Sequence, residues 1–108
     1  MAAEQDLTGV RVLVTGGTSG LGLAMVRALA GAGARVALTG RTAQVVEEVA
    51  SAIPGAVGVA ADVRDQASAT GAVDAVWNAF DGIDVLVNNA GLGMKTVNPD
   101  FMARPQGF

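Results

Sequence analysis

Short apolar runs alternate along this chain with stretches in which apolar residues recur every three or four positions. The run at residues 10–15 is rich in valine and lies between Gly9 and Gly16, which predicts a strand. Similar runs predict three more strands, at residues 35–39, 56–60 and 85–87. The stretches between the runs predict helices that begin near Gly20, after Thr42 as N-cap, and at Asp65, whose charge suits a helix N-terminus.

Each predicted helix has one apolar face and a sequence signal at an end. Gly31-Ala32-Gly33 ends the first helix, and Pro54-Gly55 stops the second. We expect the apolar positions at helical spacing to face the core: Leu21, Met25, Val26 and Leu29; Val45, Val46, Val49 and Ile53; and Val73, Val76, Trp77 and Phe80.

This alternation of strands and helices predicts an α/β fold, a Rossmann-type parallel sheet with helices on both faces. Right-handed crossovers then give the strand order 3-2-1-4. In such sheets a ligand binds beyond the carboxyl ends of the strands, where the strand order reverses, here between strands 1 and 4.

A glycine-rich loop joins the first strand to the first helix: Thr15-Gly16-Gly17-Thr18-Ser19-Gly20-Leu21-Gly22. Glycine lets an anion approach the backbone closely, and the helix N-terminus offers unpaired N–H groups. The spacing is T-G-x-x-x-G-x-G; Met25 breaks the plain G-x-G-x-x-G pattern, and no Gly-Lys follows for a P-loop. The loop predicts a pyrophosphate site, and the alternative is a turn that only connects strand to helix.

With this loop the sequence resembles the short-chain dehydrogenase/reductase family. Asp62-Val63 matches the acidic position that faces the adenine ring in that family, and Asn88-Asn89-Ala90-Gly91 matches its N-N-A-G motif. The lead-in at residues 7–12 is also similar. The resemblance implies that Asn88 holds the central strands. It implies a cofactor site formed by Gly16, Thr18, Ser19, Gly20, Leu21, Gly22, Gly40, Arg41, Asp62, Val63, Asn89, Ala90 and Gly91.

The end of the second strand bears on the choice between NAD and NADP. An acid there accepts from the ribose 2′-hydroxyl of NAD, whereas this chain has Thr39-Gly40-Arg41. We expect Gly40 to leave room and Arg41 to bind the 2′-phosphate, so NADP is the predicted cofactor and NAD the less favoured one. Ser19 stands where many NADP-preferring relatives have a second basic residue, and Arg41 as an ordinary solvated charge is the alternative.

Catalytic residues are not predicted within this sequence. The family uses a Tyr-x-x-x-Lys pair and a Ser downstream of N-N-A-G, but the chain has no Tyr, His or Cys, and its one lysine is Lys95. The carboxylates form no expected metal cluster without His or Cys. Whether the 108-residue chain is itself an enzyme is therefore left open.

Composition and charge limit the classes of binding partner and the cellular location that we expect. A net charge of −3 argues against a nucleic-acid binder, and no apolar run is long enough for a membrane span. The acidic start lacks the features of a secretory signal, so we expect a cytoplasmic protein. The predicted partner is a dinucleotide, with self-association possible through the open edge of strand 4.

These observations predict a dinucleotide-binding Rossmann half-domain at residues 1–91, and a loop or tail at residues 92–108 that leads to an absent C-terminal half. The fold would then be incomplete relative to the full family fold. The predicted function is the NADP(H)-binding part of an oxidoreductase that transfers hydride between the nicotinamide and a carbonyl or alcohol. A non-catalytic module or truncated remnant completed by a partner chain is the alternative. A methyltransferase-like domain ranks last, because the acid expected after its second strand is missing.

Overall fold

The computed structural model describes residues 6–89, which form strands and helices in strict alternation. The elements are β1 (Arg11–Thr15), α1 (Gly20–Gly31), β2 (Arg35–Gly40), α2 (Ala43–Ala52), β3 (Val57–Ala60), α3 (Gln66–Phe80) and β4 (Val85–Asn88). All four strands lie within one residue of their predicted bounds. The tail predicted at residues 92–108 lies outside the described residues.

The strands form one parallel sheet in the order β3-β2-β1-β4, which confirms the predicted topology. Leu13 at the centre of β1 lies opposite Ala37 of β2 and Leu86 of β4, so these three side chains share one face. The chain leaves β1 towards β2 and β3 and then returns to the other side of β1. The carboxyl ends of β1 and β4 therefore border the crevice in which such folds bind ligands.

The helix ends follow local signals in the sequence. Asp65 is the N-cap of α3, and its carboxylate accepts a hydrogen bond from the Ala67 N–H at 3.3 Å. Thr42 occupies the N-cap of α2 as predicted, but its side chain makes no capping hydrogen bond. Gly33, with φ of +100°, turns the chain after α1.

Apolar layers cover both faces of the sheet. On one face, Val12, Val14, Val36 and Leu38 pack with Val26 of α1 and Ile53 at the end of α2. On the other face, Leu13 and Ala37 pack with Val76 and Phe80 of α3. The helices thus lie on both sides of the sheet, as predicted.

The prediction of which residues of α3 face the core is partly wrong. Val76 and Phe80 are buried together with Ala72, but Val73 and Trp77 are 37% and 53% exposed. The reason is tertiary: α3 packs over β3, β2 and β1 and does not reach β4, so its flank on that side has no neighbour among the described residues.

Other predicted core positions are exposed as well. Leu21 of α1 and Val45 of α2, both expected to face the core, lie at the surface.

Among residues 6–89, none of the helices is both long and apolar enough to cross a bilayer.

An ion pair fastens β4 to β1 at the amino end of the sheet. The Arg11 backbone N–H and Nε both donate to Asp84 Oδ2 at 2.9 Å, and Nη2 donates to Oδ1 at 2.8 Å. Nη1 donates to the Asp81 carbonyl at 2.6 Å, so Arg11 also binds the turn after α3. The Arg11 side chain, followed by its backbone N–H, lowers the pKa of Asp84 from 3.8 to about 2.

We expect this ion pair to make the stability of the chain depend on acid pH. Because folding depresses the Asp84 pKa, the stabilisation is complete above about pH 4 and is lost as pH falls towards about 2. The melting temperature of Asp84→Asn should therefore be lower than that of the unmodified chain at pH 7, and the gap should shrink between about pH 4 and pH 2. Asp74→Asn, on an exposed position of α3, is the matched control. A gap that does not change across this range would contradict the assignment.

Candidate functional site

The glycine-rich loop after β1 is fastened to the carboxyl end of β2. The Gly16 N–H donates to Thr39 Oγ1 at 3.2 Å, and the Gly17 N–H donates to the Thr39 carbonyl at 3.0 Å. Thr39 is 1% exposed, so both acceptor atoms are shielded from water. A side chain at Gly17 would also be excluded, since its Cβ would lie 2.7 Å from Leu38 Cβ. The loop therefore lies flat against the end of β2.

Residues at the end of β4 form hydrogen bonds with the same loop from the other side. The Asn89 N–H donates to Thr15 Oγ1 at 3.0 Å, and Asn89 Nδ2 donates to the Gly16 carbonyl at 3.1 Å. Thr15 Oγ1 also donates to Asn88 Oδ1 at 3.3 Å, in line with the strand-holding role expected for Asn88. Asn89, predicted to line the cofactor, thus has a direct part in holding the loop. Ala90 and Gly91 lie outside the described residues.

Close packing explains why the last residue of the motif, Gly22, is a glycine. A Cβ at this position would overlap the Gly16 carbonyl oxygen and would lie 2.5 Å from Asn89 Nδ2. The first turn of α1 can therefore approach the loop only when position 22 lacks a side chain. Gly16 and Gly20 have φ of +70° and +57°, which lets the loop turn sharply into the helix.

The N-terminus of α1 is the polar feature to which this loop leads. Ser19 is the N-cap in an extended conformation, and its side chain makes no capping hydrogen bond. Ser19, Gly20 and Leu21 are all exposed. A helix N-terminus whose first N–H groups are not capped by a side chain suits an anion such as a pyrophosphate.

The residues at the end of β2 differ from expectation in one respect. Gly40 is buried, and the space where its side chain would project contains Thr18 Cγ2 and Val46 Cγ2, at 2.7 and 2.9 Å from an added Cβ. The room that we expected beside Gly40 is therefore filled by the protein itself. Arg41, the next residue, is exposed at the same edge.

Asp62 lies just beyond β3 and is already engaged. Its Oδ1 accepts from the N–H and Nε of Arg64 and its Oδ2 accepts from Nη2, each at 3.0 Å. Arg64 is the main cause that lowers the pKa of Asp62 from 3.8 to about 2, and the charge of Arg41 adds to it. Asp62 is therefore ionised at neutral pH. Its own N–H donates to Ser68 Oγ at 2.9 Å, and Val63 beside it is half-buried.

The structure brings the predicted loop residues, Gly40, Arg41, Asp62 and Asn89 to one edge of the sheet, and adds residues that the sequence analysis missed. Thr39 could have been found as the single hydroxyl of β2, where it follows three apolar residues. Arg64 carried only a weak signal, a basic residue two positions after an acid. Among residues 6–89, no three acidic, His or Cys side chains come together in a way that could hold a metal ion.

Gly22→Ala should disrupt the loop. The obstructing group is a backbone carbonyl that is itself hydrogen-bonded, so we expect a loss of at least about 1–3 kcal/mol in the free energy of unfolding, as for other overpacked sites. Gly71→Ala is the matched control, because Gly71 lies in α3 with nothing within 4 Å of an added Cβ. That variant should gain up to about 1 kcal/mol from helix propensity. Urea denaturation measures both, and equal stabilities of the two variants would refute the close-approach account.

Comparison with known proteins shows which family this chain resembles. The profile of the short chain dehydrogenase family matches residues 10–104. A 3-ketoacyl-(acyl-carrier-protein) reductase from Brucella melitensis, solved with NADH, has a TM-score of 0.78 and 38% identity over 94% of this chain. A short chain dehydrogenase from Burkholderia cenocepacia, solved with NADP, has a TM-score of 0.74 and 39% identity over 87% of it.

Among curated proteins, a probable oxidoreductase of Streptomyces lividans is 48% identical over 103 residues, which is 87% of this chain. The chain spans 42% of each of the two solved structures and 33% of the Streptomyces protein. The fold, the loop and the family profile together place this chain in the short chain dehydrogenase family.

Proposed function

We propose that this chain is the NADP(H)-binding part of a short-chain dehydrogenase/reductase that, in complete form, transfers hydride between the nicotinamide and a carbonyl or alcohol substrate. The observation that carries the proposal is the loop between β1 and α1. Its backbone is held by Thr39 on one side and by Asn89 on the other, so the N-terminus of α1 is presented at the carboxyl edge of the sheet. When bound, the cofactor would donate the hydride to a carbonyl in its reduced form or accept it from an alcohol in its oxidised form.

The loop residues are proposed to hold the pyrophosphate. The N-terminus of α1 has no side-chain cap, and the positive-φ glycines at positions 16 and 20 give a surface on which phosphate oxygens have no Cβ to meet. Thr18, Ser19 and Leu21 border this surface. The exposed side chain of Leu21 offers an apolar contact to a ligand lying along the loop.

The adenosine end is proposed to lie between the ends of β2 and β3. The Asp62 carboxylate is ionised and held by Arg64, which suits an acceptor for the exocyclic amine of adenine, with Val63 beside it. Asn89 and, on the family match, Ala90 and Gly91 are proposed for the ribose and nicotinamide side.

The preference for NADP rests on the residues of this chain, because the two solved relatives were crystallised one with NADH and one with NADP. No acid stands at the end of β2 to accept from a 2′-hydroxyl or to repel a 2′-phosphate. Arg41 is exposed at that edge and can form a bidentate pair with a phosphate.

Catalytic residues are not proposed within this sequence. With no Tyr, His or Cys among its 108 residues, it lacks the proton-transfer groups of the family it belongs to. We therefore expect binding without turnover, and substrate-dependent oxidation of NADPH by the purified chain would overturn this part. The cytoplasmic location stays a prediction from the sequence.

A second candidate is a non-catalytic dinucleotide-binding module that a partner chain completes, or that associates with itself through β4. One observation favours it. Val85 and Leu86 of β4 are 43% and 55% exposed. A cleft of about 340 Å³ between α3 and the sheet has Val73 and Leu86 in its lining, and it continues to Thr39, Val63 and Arg64 at the candidate site. An apolar strand with one unpaired edge among the described residues favours pairing with another chain.

The cofactor proposal predicts that the chain binds NADPH more tightly than NADH, by about 10- to 150-fold for one charge-assisted pair. Arg41→Ala should remove most of this difference while leaving NADH binding nearly unchanged. Arg27→Ala, which removes an equal charge from an exposed position on α1, is the control and should keep the preference. Dissociation constants from calorimetry or fluorescence give the answer, and equal values for NADPH and NADH in the unmodified chain would refute it.

The open-edge proposal predicts association that depends on concentration. Leu86→Lys places a charge on the exposed edge strand and should shift the chain towards monomer, because edge charges oppose strand pairing. Val45→Lys, at an exposed apolar position on α2, is the matched control and should change nothing. Sedimentation velocity across a concentration series distinguishes these outcomes. A chain that is monomeric at every concentration would exclude self-association.

A further inference from the structure

Position 40, at the carboxyl end of β2, is where an acid would read the ribose of NAD. We propose that Thr18, in the loop after β1, is the specificity-determining residue that keeps this position a glycine and so excludes the NAD-type acid. The inference rests on the proposed function, since it concerns how that same site distinguishes two dinucleotides.

The exclusion at Gly40 is steric and does not come from the backbone conformation. The φ of Gly40 is outside the positive region that favours glycine, so other residues could adopt its backbone. What an added Cβ would meet is Thr18 Cγ2 at 2.7 Å, Val46 Cγ2 at 2.9 Å and Thr18 Oγ1 at 3.4 Å. Two of these three atoms belong to Thr18, and both lie beyond its Cβ.

The backbone of Thr18 is held in place, because the loop before it is fixed. Gly16 and Gly17 donate hydrogen bonds to Thr39 in the buried end of β2, and Gly17 itself lies against Leu38. These contacts hold the backbone that leads into Thr18 directly above Gly40. The methyl group of Thr18 therefore occupies the volume that a side chain at position 40 would need.

Val46 forms the second wall of the same space. It is 1% exposed and also packs over Gly58 of β3, where an added Cβ would lie 2.6 Å from Val46 Cγ1. Its contact with a Cβ at position 40, at 2.9 Å, is 0.2 Å longer than that of Thr18 Cγ2, so α2 must also shift before a side chain fits at this position. Thr18 is the tighter obstacle and the one that a single substitution can remove without opening the core.

Exclusion at position 40 has a consequence for cofactor choice. The loop proposed to hold the pyrophosphate also prevents an acid at the end of β2, so the two ends of the cofactor site are coupled through one side-chain contact. The absence of a carboxylate at position 40 and the presence of Arg41 then act in the same direction, against NADH and for NADPH.

The test uses Gly40→Asp in three backgrounds of the 108-residue chain, with NADPH and NADH affinities and melting temperatures measured for each. Gly40→Asp alone should lower the melting temperature and weaken both cofactors without favouring NADH. Thr18→Ala/Gly40→Asp should regain melting temperature. Relative to Thr18→Ala alone, it should shift the ratio of the two dissociation constants towards NADH by about tenfold or more, the size of one charge-assisted hydrogen bond. Thr18→Val/Gly40→Asp is the shape-matched control and should behave like Gly40→Asp, since valine retains a methyl group in the blocking position.

Two results would overturn the inference. One is a shift towards NADH in Gly40→Asp as large as in the double variant with alanine. The other is strict additivity, in which Thr18→Ala does nothing to relieve the destabilisation caused by Gly40→Asp. If the unmodified chain binds neither dinucleotide, the proposed function fails and the specificity role with it, whereas the melting temperatures still decide whether Thr18 excludes a side chain from position 40.

Discussion

The close approach of the loop after β1 to the first turn of α1 constrains most of what surrounds it. With no Cβ at Gly22, the helix can start directly against the Gly16 carbonyl, and that carbonyl in turn accepts from the Asn89 side chain at the end of β4. Thr39 holds the same loop from β2. The ends of β2 and β4, which are distant in sequence, are thus both hydrogen-bonded to the backbone of this one loop. Each of these bonds helps to hold the loop in the position that the other bonds require. Because these bonds are part-buried, removing one partner would leave a partly buried polar group unsatisfied.

Two arginine–aspartate pairs lie at opposite ends of the sheet and do different work. At the amino end, Arg11 grips Asp84 and the turn after α3, which sets the start of β4 against β1. At the carboxyl end, Arg64 binds Asp62, which lies only two positions before it in the sequence, so this pair joins no distant elements. The first pair therefore serves the fold. The second leaves an ionised carboxylate in a fixed orientation beside the proposed adenine site, with Arg41 close enough to affect its pKa.

The flank along β4 shows where packing is left unfinished among residues 6–89. Helix α3 covers the sheet from β3 to β1, and the side chains on its other flank, Val73 and Trp77, remain exposed together with Leu86. In relatives of which this chain spans 33–42%, more than half of the polypeptide has no counterpart here. This exposed flank explains why hydrophobic spacing alone overestimated the core.

The sequence by itself determined the order of elements, the parallel topology and the position of the glycine loop, because strand and helix periodicities and glycine spacing are local properties. Its resemblance to the family also pointed to Asp62 and to Asn88 and Asn89 at the end of β4. Only the tertiary structure decided which apolar residues are buried, since Val73 and Trp77 satisfy the helical pattern but remain partly exposed. It likewise decided that the space beside Gly40 belongs to Thr18 and Val46, because a contact between residues 22 positions apart in a loop and a strand leaves no periodic trace in the sequence.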